Sequence, residues 1–199
     1  MVLTDELIAA AVRGGEIVID PFHAELSRPA SHLLTLSGRF MRSNGEGGPI
    51  DPFLRSDVDS EFDPLFLADR VELAPGEFLL GATRELVSLP SKYFGRITGM
   101  SHLARLGLVV HVTSDLISPG FGFGAPTAIT LELVNHHPRP IVLHEHMPVC
   151  HLQLARLETE PTKSYHRLPT GYTAAVQPTA SRYWAEFGPG NATSAGARS

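Results

Sequence analysis

From Glu16 onward the chain sustains no long apolar run. Short stretches rich in Val, Ile, Leu and Thr alternate with Gly, Pro and Asn turn signals. Such a pattern predicts sheets, because branched side chains suit a pleated, half-buried surface while Gly, Pro and Asn set the turns. The predicted strands cover Glu16 to Asp20, His32 to Leu36, Glu77 to Leu89, Gly95 to Gly99, Gly107 to Ser114, Ala128 to Asn135, and Pro140 to Leu157. One helix is predicted, at the start: Thr4 stands as N-cap, Asp5 and Glu6 fill the electropositive first turn, and Leu7, Ile8, Ala11 and Val12 share a face. Gly14 and Gly15 end it. The stretch from Met41 to Phe66 mixes Gly, Pro and acidic residues without a period and reads as a long surface loop. The fold class is therefore all-β with a short N-terminal helix.

A chain of 199 residues suits one well-buried domain, here residues 1–187, and GPGNATSAGARS at residues 188–199 reads as a flexible tail by composition. A net charge of −5, with no basic run, speaks against a nucleic-acid polymer as partner. No stretch approaches the about 18 apolar residues of a membrane helix, and the acidic N-terminus does not resemble a secretion signal, so a cytoplasmic protein is expected. Cys150 is the single cysteine; it cannot form an internal disulfide and reads as a small core residue.

Chemistry concentrates in three segments: GMSHLARLGL at 99–108, VHVTS at 110–114 and TLELVN at 130–135. They set Ser101, Arg105 and Glu132 in stretches that otherwise read as buried β-structure. A carboxylate between Leu131 and Leu133 must find a partner or shift its pKa, because an unpaired buried charge is very costly. A buried Arg105–Glu132 ion pair that merely holds the sheet satisfies the same pattern. Zinc-dependent cytosine deamination is excluded, since His23-Ala24-Glu25 imitates its H-x-E half but one cysteine cannot supply P-C-x-x-C. His144 and His146 fall on one predicted strand face, but HEHMP breaks the H-E-x-x-H pattern at Pro148, so no metal site is assigned.

Six segments stand in a particular order: PASHLLTL, LAPGEFLLGATRELVSLP, GMSHLARLGLVVHVTSDLISPGF, ITLELVN, Met147 in a turn, and QPTASR. Together they resemble the dCTP deaminase branch of the trimeric dUTPase superfamily over roughly Leu3 to Arg182. The resemblance implies a distorted β-barrel or jelly-roll protomer and a homotrimer with active sites at subunit interfaces. It implies metal-independent deamination in which Glu132 activates water for attack on C4 of cytosine, Arg105 orients the centre and Ser101 helps hold water, base or phosphate. It also implies that the backbone of His111, Val112, Thr113 and Ser114 reads the base edge. No cofactor is implied for the chemistry; Mg2+ enters only as a companion of a phosphorylated substrate.

Departures from the family pattern concern the phosphates and the sugar. G-M-S-H replaces the usual G-R-S-S, so Met100 and His102 stand for an arginine and a serine. The segment that closes over the triphosphate reads Gly171-Tyr172-Thr173-Ala174-Ala175 and keeps only Tyr172. Each charge-assisted bond lost with such groups is worth about 1.5–3 kcal/mol. Ser118 stands where the family has an aspartate that contacts the deoxyribose, which also argues against dUTPase activity. The stretch between Gly120 and Glu132 is enlarged and reads as a wide hairpin, with no P-loop spacing.

These features favour a hydrolytic deaminase of a cytosine nucleoside or nucleotide, with specificity shifted away from dCTP. Two alternatives stand beside it. One is an ordinary dCTP deaminase in which His102, Arg167 or Arg182 replaces the lost cations. The other is a catalytically silent nucleotide-binding homologue, since a fold by itself does not establish activity. His102, His111, Val112, Thr113, Ser114, Ser118 and Tyr172 are the expected substrate contacts, and a small pyrimidine nucleoside or nucleotide is the expected partner.

Overall fold

A computed structural model describes residues 1–168, 172 and 174–188 of the chain. The predicted tail lies outside the described residues apart from Gly188, which caps the last helix.

Helix α1 (Asp5–Arg13) starts where the sequence placed it: the Thr4 hydroxyl accepts the Leu7 N–H at 3.5 Å, and Ile8 is fully buried. Strands β1 (Val18–Asp20), β2 (Ser27–Arg28) and β3 (Ser31–Arg42) follow. After α2 (Arg55–Ser60) come β4 (Phe66–Leu67), β5 (Arg70–Leu73), β6 (Phe78–Ser88) and β7 (Tyr93–Gly99). The short helix α3 (Ser101–Ala104) leads to β8 (Leu108–Val109), β9 (Leu116–Ile117), β10 (Thr127–Asn135), β11 (Ile141–His144) and β12 (Pro148–Arg156). Helix α4 (Tyr183–Phe187) closes the described chain.

The main sheet runs β8-β10-β6-β3-β12-β7-β9, with β1 added beside β6 and β2 and β4 beside β3. Strands β5 and β11 pair separately. The long strand β3 is what bends the sheet. Its first half pairs with β12, its second half with β6, and the register shifts between Leu36 and Phe40. Gly38 sits in that shift at φ 71°, where an added Cβ would meet the Glu145 carboxylate at 2.9 Å. Only glycine meets both demands at low cost. The sheet thus curls into a half-barrel around Leu34, Leu36, Leu79, Leu131, Leu133 and Leu152, all fully buried. Cys150 is buried among them, as expected of a core residue.

Several expectations change. The Met41 to Phe66 stretch contains α2 and the end of β3, so it is only partly loop. The predicted strand over Gly107 to Ser114 shrinks to β8, because the Val112 backbone N–H turns away from any ladder toward a side chain. The predicted strand over Pro140 to Leu157 is broken by a tight turn in which His146 adopts φ 64°, so His144 and His146 do not share a strand face. Ser101 and Arg105 do not lie in buried β-structure: Ser101 opens α3, Arg105 caps its end, and both are exposed. Among the described residues no helix is long and apolar enough to cross a membrane.

Candidate active site

Strand β10 turns a two-residue period into a division of labour. Leu131 and Leu133 point into the core and are fully buried, while Thr130 and Glu132 project from the opposite face. That face looks into a cavity of about 610 Å³ between β6, β10 and the C-terminal segment. Its walls are mostly apolar, with Leu80, Ile117, Phe121 and Ile129 among them, and its polar groups are hydroxyls of Ser114, Ser118, Thr130, Tyr165, Tyr172, Thr179 and Ser181. Glu132 is the one charged side chain among the described residues that line it.

The environment of Glu132 fits proton transfer. Burial raises its pKa above the ordinary carboxylate value, and the Val112 N–H and the charge of His111 offset this only in part. The bond from Val112 N–H to Oε2 is long, at 3.3 Å. A carboxyl group with raised proton affinity, facing a cavity wide enough for a ligand, is suited both to accept and to return a proton. The His111 side chain is half-buried, and its Nδ1 has no hydrogen-bond partner among the described residues.

The C-terminal segment forms the roof. Its attachment is to β10 itself: Ala174 N–H donates to Thr127 Oγ1 at 2.9 Å, Ala128 N–H to Ala175 O at 2.7 Å, and Thr179 N–H to Thr130 Oγ1 at 3.3 Å. The Tyr172 N–H donates to the Tyr165 hydroxyl at 3.1 Å, and the Arg182 N–H to the Tyr172 hydroxyl at 2.7 Å. The guanidinium of Arg182 lies 5.5 Å from the Tyr172 ring centre, within cation–π range. On the other wall, the enlarged hairpin packs Phe121 against Tyr165 with ring centres 5.7 Å apart. Its glycines serve close approach: a Cβ on Gly120 would stand 2.0 Å from Ser164 Oγ, and one on Gly122 2.2 Å from Val87 O. The hairpin is thus a packing device, consistent with its lack of P-loop spacing.

Of the residues singled out in the sequence, Glu132, Ser114, Ser118 and Tyr172 line the cavity. Val112 reaches Glu132 through its backbone, while Thr113 and the Val112 side chain are exposed. Ser101, His102 and Arg105 stand together on exposed α3 and do not line the cavity of their own protomer. Among the described residues no ion pair joins Arg105 to Glu132 within one protomer, which removes the purely structural reading of that pair inside a single chain. Sequence reasoning missed Thr130, Thr179 and Ser181. Thr130 was findable, since it lies two residues before Glu132 on the same strand face. Thr179 and Ser181 sit in the QPTASR segment that carried the resemblance, yet nothing in their spacing marks them as lining a cavity.

The result is a curled antiparallel sheet, one strand of which aims the lone charged group among the described lining residues into a cavity roofed by the C-terminal segment. A family model described as dCTP deaminase-like matches residues 2–157, and the chain belongs to that family. It is 36% identical over 190 residues, 94% of this chain and 98% of the relative, to a Rhodococcus erythropolis protein named dCTP deaminase, dUMP-forming. A Mycobacterium ulcerans protein of the same name is 37% identical over 191 residues, again 94% of this chain and 98% of the relative. Among solved structures, 2'-deoxycytidine 5'-triphosphate deaminase from Agrobacterium tumefaciens matches with a TM-score of 0.59 at 20% identity. That match covers 77% of this chain and 47% of the other, and it shows a shared fold.

Proposed function

We propose that this chain is a homotrimeric, metal-independent deaminase that hydrolyses dCTP to dUTP and ammonia. The observation that carries the reading is Glu132: a carboxyl of raised pKa, the one charged side chain among the described residues on the wall of a ligand-sized cavity. Ionised Glu132 takes a proton from water as the oxygen attacks C4 of cytosine, passes it to N3, then takes the proton of the new C4 hydroxyl and delivers it to the departing amine. Ammonia leaves and the C4 carbonyl of uracil remains, so protons and electrons balance. The His111 to Ser114 backbone reads the base edge, Ser118 faces the sugar, and Tyr172 covers the ligand from the roof. Ser101 and Arg105, exposed on α3, reach the cavity of a neighbouring protomer, where Arg105 favours the ionised form of Glu132 and Ser101 steadies the water.

Preference for dCTP over a substrate lacking the triphosphate is supported by the names of the relatives at 36–37% identity. They outweigh the phosphate contacts missing from the sequence. Those relatives are also named dUMP-forming. Here Ser118 lacks the carboxylate that would direct water to a phosphate, so dUTP is the expected product. The test is ammonia release by purified protein from deoxycytidine, dCMP, dCDP and dCTP with a chelator present, alongside Glu132→Gln. Fastest release from dCTP, abolished in the variant, supports the reading, and release of dUMP with pyrophosphate overturns the product assignment. No turnover of any of the four overturns the reading as a whole.

A further inference from the structure

Strand β6 changes neighbours along its length. Up to Thr83 it pairs with β3, and from Leu86 it pairs with β1, so Thr83, Arg84 and Glu85 mark the handover. Along its other edge runs β10, whose Thr130 lies opposite Ala82 and whose Ala128 lies opposite Leu86. Those residues of β6 therefore face a single residue of β10, Ile129, which has no register partner. A bulge of this kind interrupts the ladder and leaves main-chain groups to be satisfied in another way.

Side chains of the bulge supply what the ladder lacks. The Thr83 hydroxyl accepts the Ile129 N–H at 2.9 Å and donates its own proton to the Glu85 carbonyl at 2.8 Å, so it is engaged both as donor and as acceptor. On the opposite edge the Glu85 carboxylate serves Thr35 of β3 in the same way, accepting its N–H and its hydroxyl. All four residues are buried, so water cannot stand in for a lost partner. The two edges lead to different places. Thr35 belongs to the framework around β3, whereas Ile129 lies on the cavity wall between two residues that carry the roof. Ala128 N–H donates to Ala175 O, and Thr130 Oγ1 accepts the Thr179 N–H. Glu132 is the next residue after Thr130 on the same face of β10.

We infer that Thr83 is a positioning residue for the reaction at Glu132. By holding Ile129 across the bulge, its hydroxyl fixes the short stretch of β10 from which the roof hangs and from which Glu132 is presented. The inference rests on the deaminase reading for the reaction served, but not for the setting of the roof. Valine has the shape of threonine without the hydroxyl, so Thr83→Val leaves the Ile129 N–H and the Glu85 carbonyl unpaired and loosens β10 beside the cavity. Thr83→Ser keeps both bonds.

The test is amide hydrogen exchange, read residue by residue in the full-length protein, for wild type, Thr83→Val, Thr83→Ser and Thr35→Val. Leu152, fully buried on β12, is the internal reference, since a general loss of stability speeds every protected amide alike. In Thr83→Val, exchange at Ala128, Ile129 and Thr179 rises about tenfold relative to Leu152, and ammonia release from dCTP falls by about the same factor. Thr83→Ser restores both. Thr35→Val removes a buried bond at the other edge of the same bulge and changes neither. Thr83→Cys, whose thiol is a weak donor and acceptor, gives the same result where Thr83→Val fails to fold. Unchanged exchange ratios in Thr83→Val, or equal changes in Thr35→Val, overturn the inference. If the ratios change but wild type releases no ammonia from dCTP, the positioning of the roof stands and the deaminase reading falls. If Thr83→Val releases ammonia at the wild-type rate, the deaminase reading stands and the inference falls.

Discussion

Two glutamates on neighbouring strands meet opposite fates. Glu85 on β6 is fully buried, and its carboxylate accepts the Thr35 N–H and the Thr35 hydroxyl, each at 2.8 Å. Glu132 on β10 is half-buried, accepts one long bond from Val112, and opens onto the cavity. Both sit in apolar strands, and sequence context alone hardly separates them. The difference lies in supply: two short donors make a sealed carboxylate part of the framework, whereas an under-supplied carboxylate beside a cavity is left with proton affinity to use.

The largest effect expected from breaking this contrast is on catalysis. Glu132→Gln keeps the shape but cannot accept a proton, and ammonia release should fall by about 10²–10⁴-fold with little change in urea midpoint. Glu85→Gln should do the opposite, lowering the midpoint while leaving the cavity chemistry in place. Thr35→Val comes next: it strips the hydroxyl donor from Glu85 and should cost about 1–3 kcal/mol in urea unfolding. An unchanged midpoint would show that Glu85 does not depend on Thr35.

A smaller effect sharpens the comparison through pH. The proposed mechanism needs Glu132 ionised, and burial raises its pKa, so the acid limb of the rate profile should lie above the ordinary carboxylate range. The same shift bears on stability. A carboxyl whose pKa is raised by folding binds more protons folded than unfolded, so its contribution is fully present below the ordinary carboxylate range and lost as pH rises through the raised value. Glu132→Gln should therefore melt slightly above wild type at about pH 8, with the gap closing toward about pH 4. A gap that widens in acid would contradict the raised pKa.

How much of this was legible beforehand depended on whether a local pattern decided the outcome. The Thr4 cap, the alternation along β10 and the burial of Cys150 were readable because each follows from neighbours in sequence. The turn at His146 was not readable: the sequence placed His144 and His146 on one strand face, and nothing in it marks the φ of 64° at His146. Helix α2 escaped notice because Arg55–Ser60 carries a single buried residue, Val58, too few for a period. The strand over Gly107 to Ser114 was overextended because Val110 to Ser114 looks β-like, while its backbone is drawn aside to Glu132. At the site, Glu132 was legible from its apolar flanks. The setting of Ser101 and Arg105 was not: the stretch reads as buried β-structure, yet both stand exposed on α3.

The roof hangs from the strand that bears Glu132, through Ala174, Ala175 and Thr179 against Thr127, Ala128 and Thr130. On the proposed deaminase reading, product that left by lifting this roof would have to unzip one main-chain bond and two bonds to threonine hydroxyls alongside Glu132, so departure and chemistry would share one hinge line. Substituting Thr130 by valine should unfasten one tooth of that zipper and hasten departure, at the expense of a wetter, slower reaction centre.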